Sequence, residues 1–276
     1  MIVGLWMLGG GAAAGVFGSL LGLGGGILIV PLLTLGFGLP LREAVGVSLV
    51  CVIMTSSAAA GVYLERHVAN LRLGMTLELF TAIGALVGGS IAFLVDERIL
   101  SLLFALLLAY VAFSMFRAPV GNASPSVDLA TVDDEPGVED PSPPTVLDRL
   151  AGDGYEVRNL GRGLVGATGA GVASSLLGIG GGIIKVPLMH LSMGVPLRVA
   201  TATSNLMIGI TGAASAVIYL VHGGIDPYVA GPTAIGVFVG ATAGSRLAHR
   251  IGLRYLRLLF VVVLSYTAIQ MLIRAL

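Results

Sequence analysis

The stretch Ala14–Ser48, AGVFGSLLGLGGGILIVPLLTLGFGLPLREAVGVS, returns 156 residues later as Ala170–Ser204, AGVASSLLGIGGGIIKVPLMHLSMGVPLRVATATS. Aligned without a gap, 21 of the 35 positions are identical. A long internal repeat dictates architecture before any local signal does. Whatever this chain folds into, it is built from one unit used twice.

The medium for that build follows from composition. The chain is 56% hydrophobic and 11% charged, and it carries 41 glycines at a mean hydropathy of +0.97. No soluble domain of 276 residues covers that much apolar surface with polar groups. Apolar windows near the roughly 20 residues needed to cross a bilayer fall at Ile2–Leu21, Ala44–Leu64, Leu79–Val95, Ile99–Phe116, Leu164–Ile184, Val199–Val221, Val229–Ser245 and Leu258–Ile273. They are continuous, unlike the alternating strands of a membrane barrel. The expected fold is an all-α polytopic membrane protein, two inverted repeats with about 8–10 transmembrane elements. Paired helical repeats of this kind are the usual build of secondary transporters. The opening MIVGLW has no basic n-region, so the first helix is expected to be retained. A lone cysteine, Cys51, excludes an intramolecular disulfide or a cysteine metal cluster.

Charge is distributed unevenly. Nine of the 15 acidic residues lie in Ala118–Arg158, with six of the 12 prolines. Such a segment cannot bury enough apolar area to offset chain entropy, and reads as a solvated tether. The expected organisation is a first transmembrane repeat over 1–117, an acidic, Pro-rich cytoplasmic linker over 118–158, and a second repeat over 159–276. With the N-terminus outside and an odd number of crossings in each half, 11 of the 14 arginines face the cytoplasm and only Arg42, Arg98 and Arg274 face out. That matches the positive-inside tendency and makes the halves inverted.

The repeated core is GLGGGxxxVP. Glycine costs a helix about 1 kcal/mol per residue relative to alanine, so the runs at Gly24, Gly25, Gly26 and Gly180, Gly181, Gly182 should interrupt one. The 13 residues that follow, Ile27–Leu39 and Ile183–Val195, are too short to span and read as re-entrant arms. Pro31 and Pro187 are expected near the arm starts, where a missing N–H costs least. Bare backbone is tolerated at membrane depth where it lines a cavity. Backbone N–H groups opening on such a cavity make an anion site. The spacing GxGxxG fails at Ile27 and Ile183, and no GxxxxGK[ST] occurs, which excludes a nucleotide loop.

This pair of G-x-G-G-G-x-x-x-V-P motifs resembles the sulfite exporter TauE/SafE family of membrane permeases. The run ATATSNLMIGITGAASAVIYLVHGGID, the segment GATAGSRLAHRI and a last apolar helix are similar too. The resemblance covers the chain outside the acidic linker. It implies an exporter or exchanger of small sulfur-containing anions such as sulfite or organosulfonates, driven by the proton gradient, in a prokaryotic plasma membrane. A passive channel, or a carrier of another small carboxylate or oxyanion, stays open. No catalytic motif, metal cluster or cofactor is called for, and the partners expected are a small anionic substrate and the lipid bilayer. Nothing points to nucleic acid, and a homodimer is left open.

Other candidates cluster near the repeat. Ser48, its counterpart Ser204, and Asn205, where the first copy has Leu49, are polar groups beside the motif. Lys185 is the only lysine and stands where the first copy has Ile29. It either meets an anionic partner or snorkels to the headgroups. His190 could relay protons or simply pack. Glu78 is the one carboxylate inside an apolar stretch, a proton-coupling candidate, although the nearness of Arg72 and Gly74 suggests an interfacial position. His67, His222 and His249 are too scattered for a metal site.

Deleting most of Ser124–Pro144 should leave membrane insertion and transport nearly unchanged, because such sequence adds few packed contacts. Loss of inserted protein in the deletion variant, seen by membrane fractionation, would assign the linker a structural role.

Overall fold

The computed structural model describes residues 2–21, 25–65, 69–117, 155, 157–247 and 253–275. Gly24, His67, His249 and linker positions 118–154 and 156 lie outside them. The first half contains α1 (Ile2–Leu21), a short α2 (Gly26–Pro31) prolonged by a π-helical turn (Leu32–Gly36), α3 (Leu41–Glu65), α4 (Leu71–Leu94) and α5 (Glu97–Arg117). The second repeats the order: α6 (Leu160–Leu177), α7 (Gly182–Pro187) with its π turn (Leu188–Ser192), α8 (Leu197–Val221), α9 (Pro227–Leu247) and α10 (Leu253–Ala275). No β-strand occurs among the described residues. Among the described residues, five helical segments are long and apolar enough to cross a membrane: Leu41–Ala58, Leu71–Leu94, Glu97–Arg117, Val199–Val221 and Leu258–Ala275. Their outward faces carry large apolar side chains such as Leu79, Leu106, Val217 and Ile273. That is the surface a lipid solvent demands. The chain is an all-α polytopic membrane protein.

The halves are interlocked rather than side by side. α1 packs on α9, and its counterpart α6 packs on α4. Both seams are built by small residues. A Cβ on Gly15 would strike the backbone of Val237 and Ala241, and one on Gly171 would strike that of Thr81 and Ala85, the same contact at the repeat spacing. Gly84 on Thr168 and Gly240 on Ala12 repeat the pattern. Small residues let helix backbones approach closely, the main source of helix association where no hydrophobic drive exists.

Direction follows from further contacts. Gly46 near the start of α3 abuts Gly224 just past the end of α8. The Asn70 N–H, beyond the end of α3, donates to Thr203 Oγ1 near the start of α8 at 3.0 Å. Between them, Ser56 donates to the Asn205 carbonyl. α3 and α8 are therefore antiparallel. So are α5 and α10, since Glu97 and Ser101 share a cavity with Met271 and Arg274. Equivalent helices running in opposite directions are what an inverted repeat produces.

Two expectations need correction. The window Leu164–Ile184 is not one span: α6 stops at Leu177, where Gly178 takes φ 68° and returns its N–H to the Ser174 carbonyl at 2.8 Å. A left-handed residue here is the usual glycine helix stop. Pro31 and Pro187 sit at the ends of α2 and α7, not near their starts. A proline ring crowds the carbonyl four residues back and offers no N–H. In both arms a wider π turn begins one residue later.

Gly171→Val should therefore cost about 1–3 kcal/mol or more, because a backbone carbonyl blocks the side chain. Gly169→Val, two residues away with nothing within 4 Å of its added carbon, should be neutral. Thermal unfolding of the two variants in one detergent checks the contrast; equal melting temperatures would show the seam to be loose.

Candidate functional site

Both glycine breaks lie at mid-length of the longest helices. α3 and α8 are each 25 residues long. Gly26 faces Val52 near the centre of α3, and Gly182 faces Ile208 at the equivalent place in α8. Gly180 touches both Val52 and Ile208, so the two breaks meet across this pair. A carbon added to Gly26 would lie 2.7 Å from the Gly178 carbonyl oxygen. Gly25 and Gly181 hold φ 71° and 76°, left-handed backbone that side chains resist. Each arm thus starts in the protein interior and runs outward from it.

Ser48 binds the breaks together. Its hydroxyl lies 2.7 Å from the Gly178 carbonyl and 3.1 Å from the Gly26 carbonyl, so its proton is held inside the protein. Asn205 is 8% exposed, with its backbone carbonyl accepting from Ser56. The arrangement around the second break is different. Lys185, 1% exposed, donates to Glu78 Oε2 at 3.1 Å and to Thr211 Oγ1. The Thr211 hydroxyl lies 2.7 Å from Glu78 Oε1, closing a three-membered polar ring among α4, α7 and α8. Of the two readings of Lys185, an anionic partner is the one the structure shows, the partner being Glu78, itself 3% exposed. The physical reason is mutual: a charge at membrane depth is tolerated when an opposite charge and hydrogen bonds surround it.

Two buried hydroxyls near the second break have no hydrogen-bond partner among the described residues. Ser174 and Ser204 are 0% and 1% exposed, and their oxygens form no hydrogen bond. The Ser174 Cβ and the Lys185 Cε each lie 3.3 Å from a carbon placed on Gly181, and Ser204 Oγ lies 3.6 Å from one on Gly182. Ser175 Oγ, also unpartnered, points toward Gly89 of α4. A buried unsatisfied hydroxyl costs about 1–3 kcal/mol; Ser174 shares the wall of Gly181 with Lys185, and Ser204 lies against the adjacent Gly182. An ammonium and two hydroxyls around bare backbone form a donor set suited to a small oxyanion. Glu78 is the protein's own anion in the same place.

His190 lies apart from this cluster. It sits at the exposed end of its arm, with Nδ1 2.9 Å from the Val195 carbonyl. Ser174 and Thr211 were not singled out by the sequence. Ser174 had a signal, as it replaces Gly18 in an otherwise well-matched stretch of the repeat. Thr211 had none, since its counterpart Thr55 is also threonine.

Residues 7–271 match the family described as sulfite exporter TauE/SafE. The chain is 25% identical over 272 residues to the probable membrane transporter protein YunE of Bacillus subtilis, covering 95% of this chain and 94% of that one. A probable membrane transporter protein of Xylella fastidiosa is 31% identical over 244 residues, covering 88% and 84%. One from Methanocaldococcus jannaschii is 25% identical over 278 residues, covering 95% and 93%. No solved structure matches the chain. Interlocked repeats, interior glycine breaks and a family match over nearly the whole length lead to one assignment: the chain belongs to the sulfite exporter TauE/SafE family of membrane transporters.

Proposed function

We propose that the protein is a secondary transporter, exporter or exchanger, of small sulfur-containing anions such as sulfite or organosulfonates, working by alternating access with proton coupling. The observation that carries this reading is the buried Lys185, balanced by Glu78 and Thr211, beside the unpartnered Ser174 and Ser204. The family description supports the sulfur-anion class. The arginine distribution supports an N-terminus outside and a cytoplasmic linker.

The charge balance of the site supplies the coupling. Lys185 and Glu78 together are neutral. An anion that enters and takes the ammonium leaves Glu78 as an unpaired buried carboxylate, which costs several kcal/mol. A proton on Glu78 removes that cost, so one proton accompanies each monovalent anion. The anion then rests against Lys185, Ser174 and Ser204, with Gly181 and Gly182 leaving room for it. Val52 and Ile208, which separate the two breaks, are the side chains that must part for it to cross between the halves.

In proteoliposomes, transport of an organosulfonate should saturate and show counter-transport; linear flux without exchange would indicate a channel. Gly181→Val should abolish transport while the protein still inserts. The double variant Glu78→Met with Lys185→Met should fold about as well as wild type but bind no anion. Glu78→Ala alone should cost about 3–5 kcal/mol, since it strands the buried ammonium. Wild-type anion affinity in the double variant would place the site elsewhere.

The proton linkage has its own test with methanesulfonate, which stays ionised throughout. If Glu78 must gain a proton as the anion binds, affinity is full at pH values where Glu78 is already protonated. It then weakens by about tenfold for each unit of rising pH above that point. Calorimetry across pH should show this slope in wild type and a flat profile in Glu78→Gln; a flat wild-type profile would remove Glu78 from the coupling.

A further inference from the structure

Positive charge is sparse at one end of the bundle. Of the 14 arginines, only Arg42, Arg98 and Arg274 belong to that end by the topology proposed above. Arginines kept on the side the positive-inside tendency depletes invite a specific explanation, and two have an internal one. Arg42 donates to the Ala92 and Val95 carbonyls at the end of α4, where a cation offsets the helix dipole. Arg274, in the last turn of α10, donates to the Thr34 carbonyl at 2.9 Å and so ties that helix to the outer end of the first arm. Arg98 has no partner among the described residues.

Arg98 and Arg274 instead line one cavity of about 160 Å³, with Thr34, Glu97 and Ser101. That is room for about five waters at ~30 Å³ each, enough for a compact oxyanion that keeps part of its hydration. Ser101 is 6% exposed and its hydroxyl has no hydrogen-bond partner among the described residues, although it lines the cavity. Glu97 is the one carboxylate there, and its Oε1 already accepts the Leu41 N–H at the start of α3. Two guanidinium groups and a free hydroxyl therefore line a space that holds one carboxylate, Glu97, already hydrogen-bonded to the Leu41 N–H in the cavity wall, which leaves an excess of positive charge. Planar guanidinium groups hold sulfate- and phosphate-like oxygens by paired, charge-assisted hydrogen bonds.

We propose that this cavity is a second binding site, for a small tetrahedral oxyanion held by Arg98, Arg274 and Ser101, separate from the site at Lys185. The ligand is either a free anion of the sulfate type or the phosphate of a phospholipid headgroup, which presents the same oxygens. Binding here is linked to the first arm, because Arg274 also holds the Thr34 carbonyl.

The test uses the full chain with inorganic sulfate as the probe, in the Glu78→Met, Lys185→Met double-variant background, which removes the other site without stranding a buried charge. Calorimetry should show sulfate binding that falls about tenfold or more in Arg98→Gln, the loss expected for a charge-assisted hydrogen bond. Arg98→Lys should restore part of it. Arg98 has no hydrogen-bond or ion-pair partner among the described residues, so Arg98→Gln should keep the parental melting temperature and report binding alone; Arg274→Gln is a supporting variant. In parallel, native mass spectrometry should show whether a phospholipid is retained. A lipid retained with the Arg98 side chain and lost in Arg98→Gln, with no sulfate uptake, would identify the headgroup as the ligand. Sulfate affinity and lipid retention both unchanged in Arg98→Gln would overturn the proposal.

Discussion

Backbone-to-backbone contact between helices of opposite halves is the constraint on which this bundle depends. In a solvent as apolar as leucine, exclusion of side chains from solvent does not bring helices together. What remains is close fit, and the fit is made by glycine on carbonyl at the α1–α9 and α4–α6 seams. Because each seam joins one half to the other, neither half encloses its own arm. α4 brings Glu78 to a lysine on the arm of the opposite repeat, a contact that exists only because the halves interpenetrate.

The seams fix the frame, while the arms introduce controlled irregularity into it. Residues with left-handed backbone open each arm, Ser48 strapped to two carbonyls holds the openings together, and a π turn after the proline closes each arm. None of these features would survive facing lipid, where unsatisfied backbone groups cost several kcal/mol. The interior supplies their partners. The buried ion pair belongs to the same logic, since burial of either charge alone would be far more costly than burial of both.

Much of this was legible in the sequence. The repeat, the apolar windows and the glycine runs state the fold class and the position of each arm, because helix length and glycine cost are local properties. Arginine counting gave the inversion before any contact was known. What the sequence did not disclose were pairings across space. Glu78 lies 107 residues from Lys185, and no local pattern joins a carboxylate on the fourth helix to an ammonium on an arm of the other half. With no partner in view, Lys185 could be read equally as facing an anion or as snorkelling, and nothing pointed to Glu78 as that anion. The prolines were misplaced for a similar reason: helix statistics favour a first-turn proline, and the α-to-π switch that follows it is set by the arm's packing. Ser174, a serine in the glycine position of its repeat, was visible and had meaning only once Gly181 and Lys185 stood beside it.

The polar ring around Lys185 occurs once, although its scaffold occurs twice. The positions equivalent to Lys185, Thr211 and Glu78 in the other copy are Ile29, Thr55 and Ala234, apolar at both charged positions. A strictly symmetric inverted repeat would have two access states of equal energy, each the image of the other. Here the exchange of roles between the arms carries an ion pair on one side only, so the degeneracy is lifted. Under the proposed cycle the empty protein therefore has a preferred resting face. Its two half-reactions, chemically alike in outline, then run over barriers of different height, so the proposed cycle is kinetically asymmetric while the gradients alone set the direction of net flux.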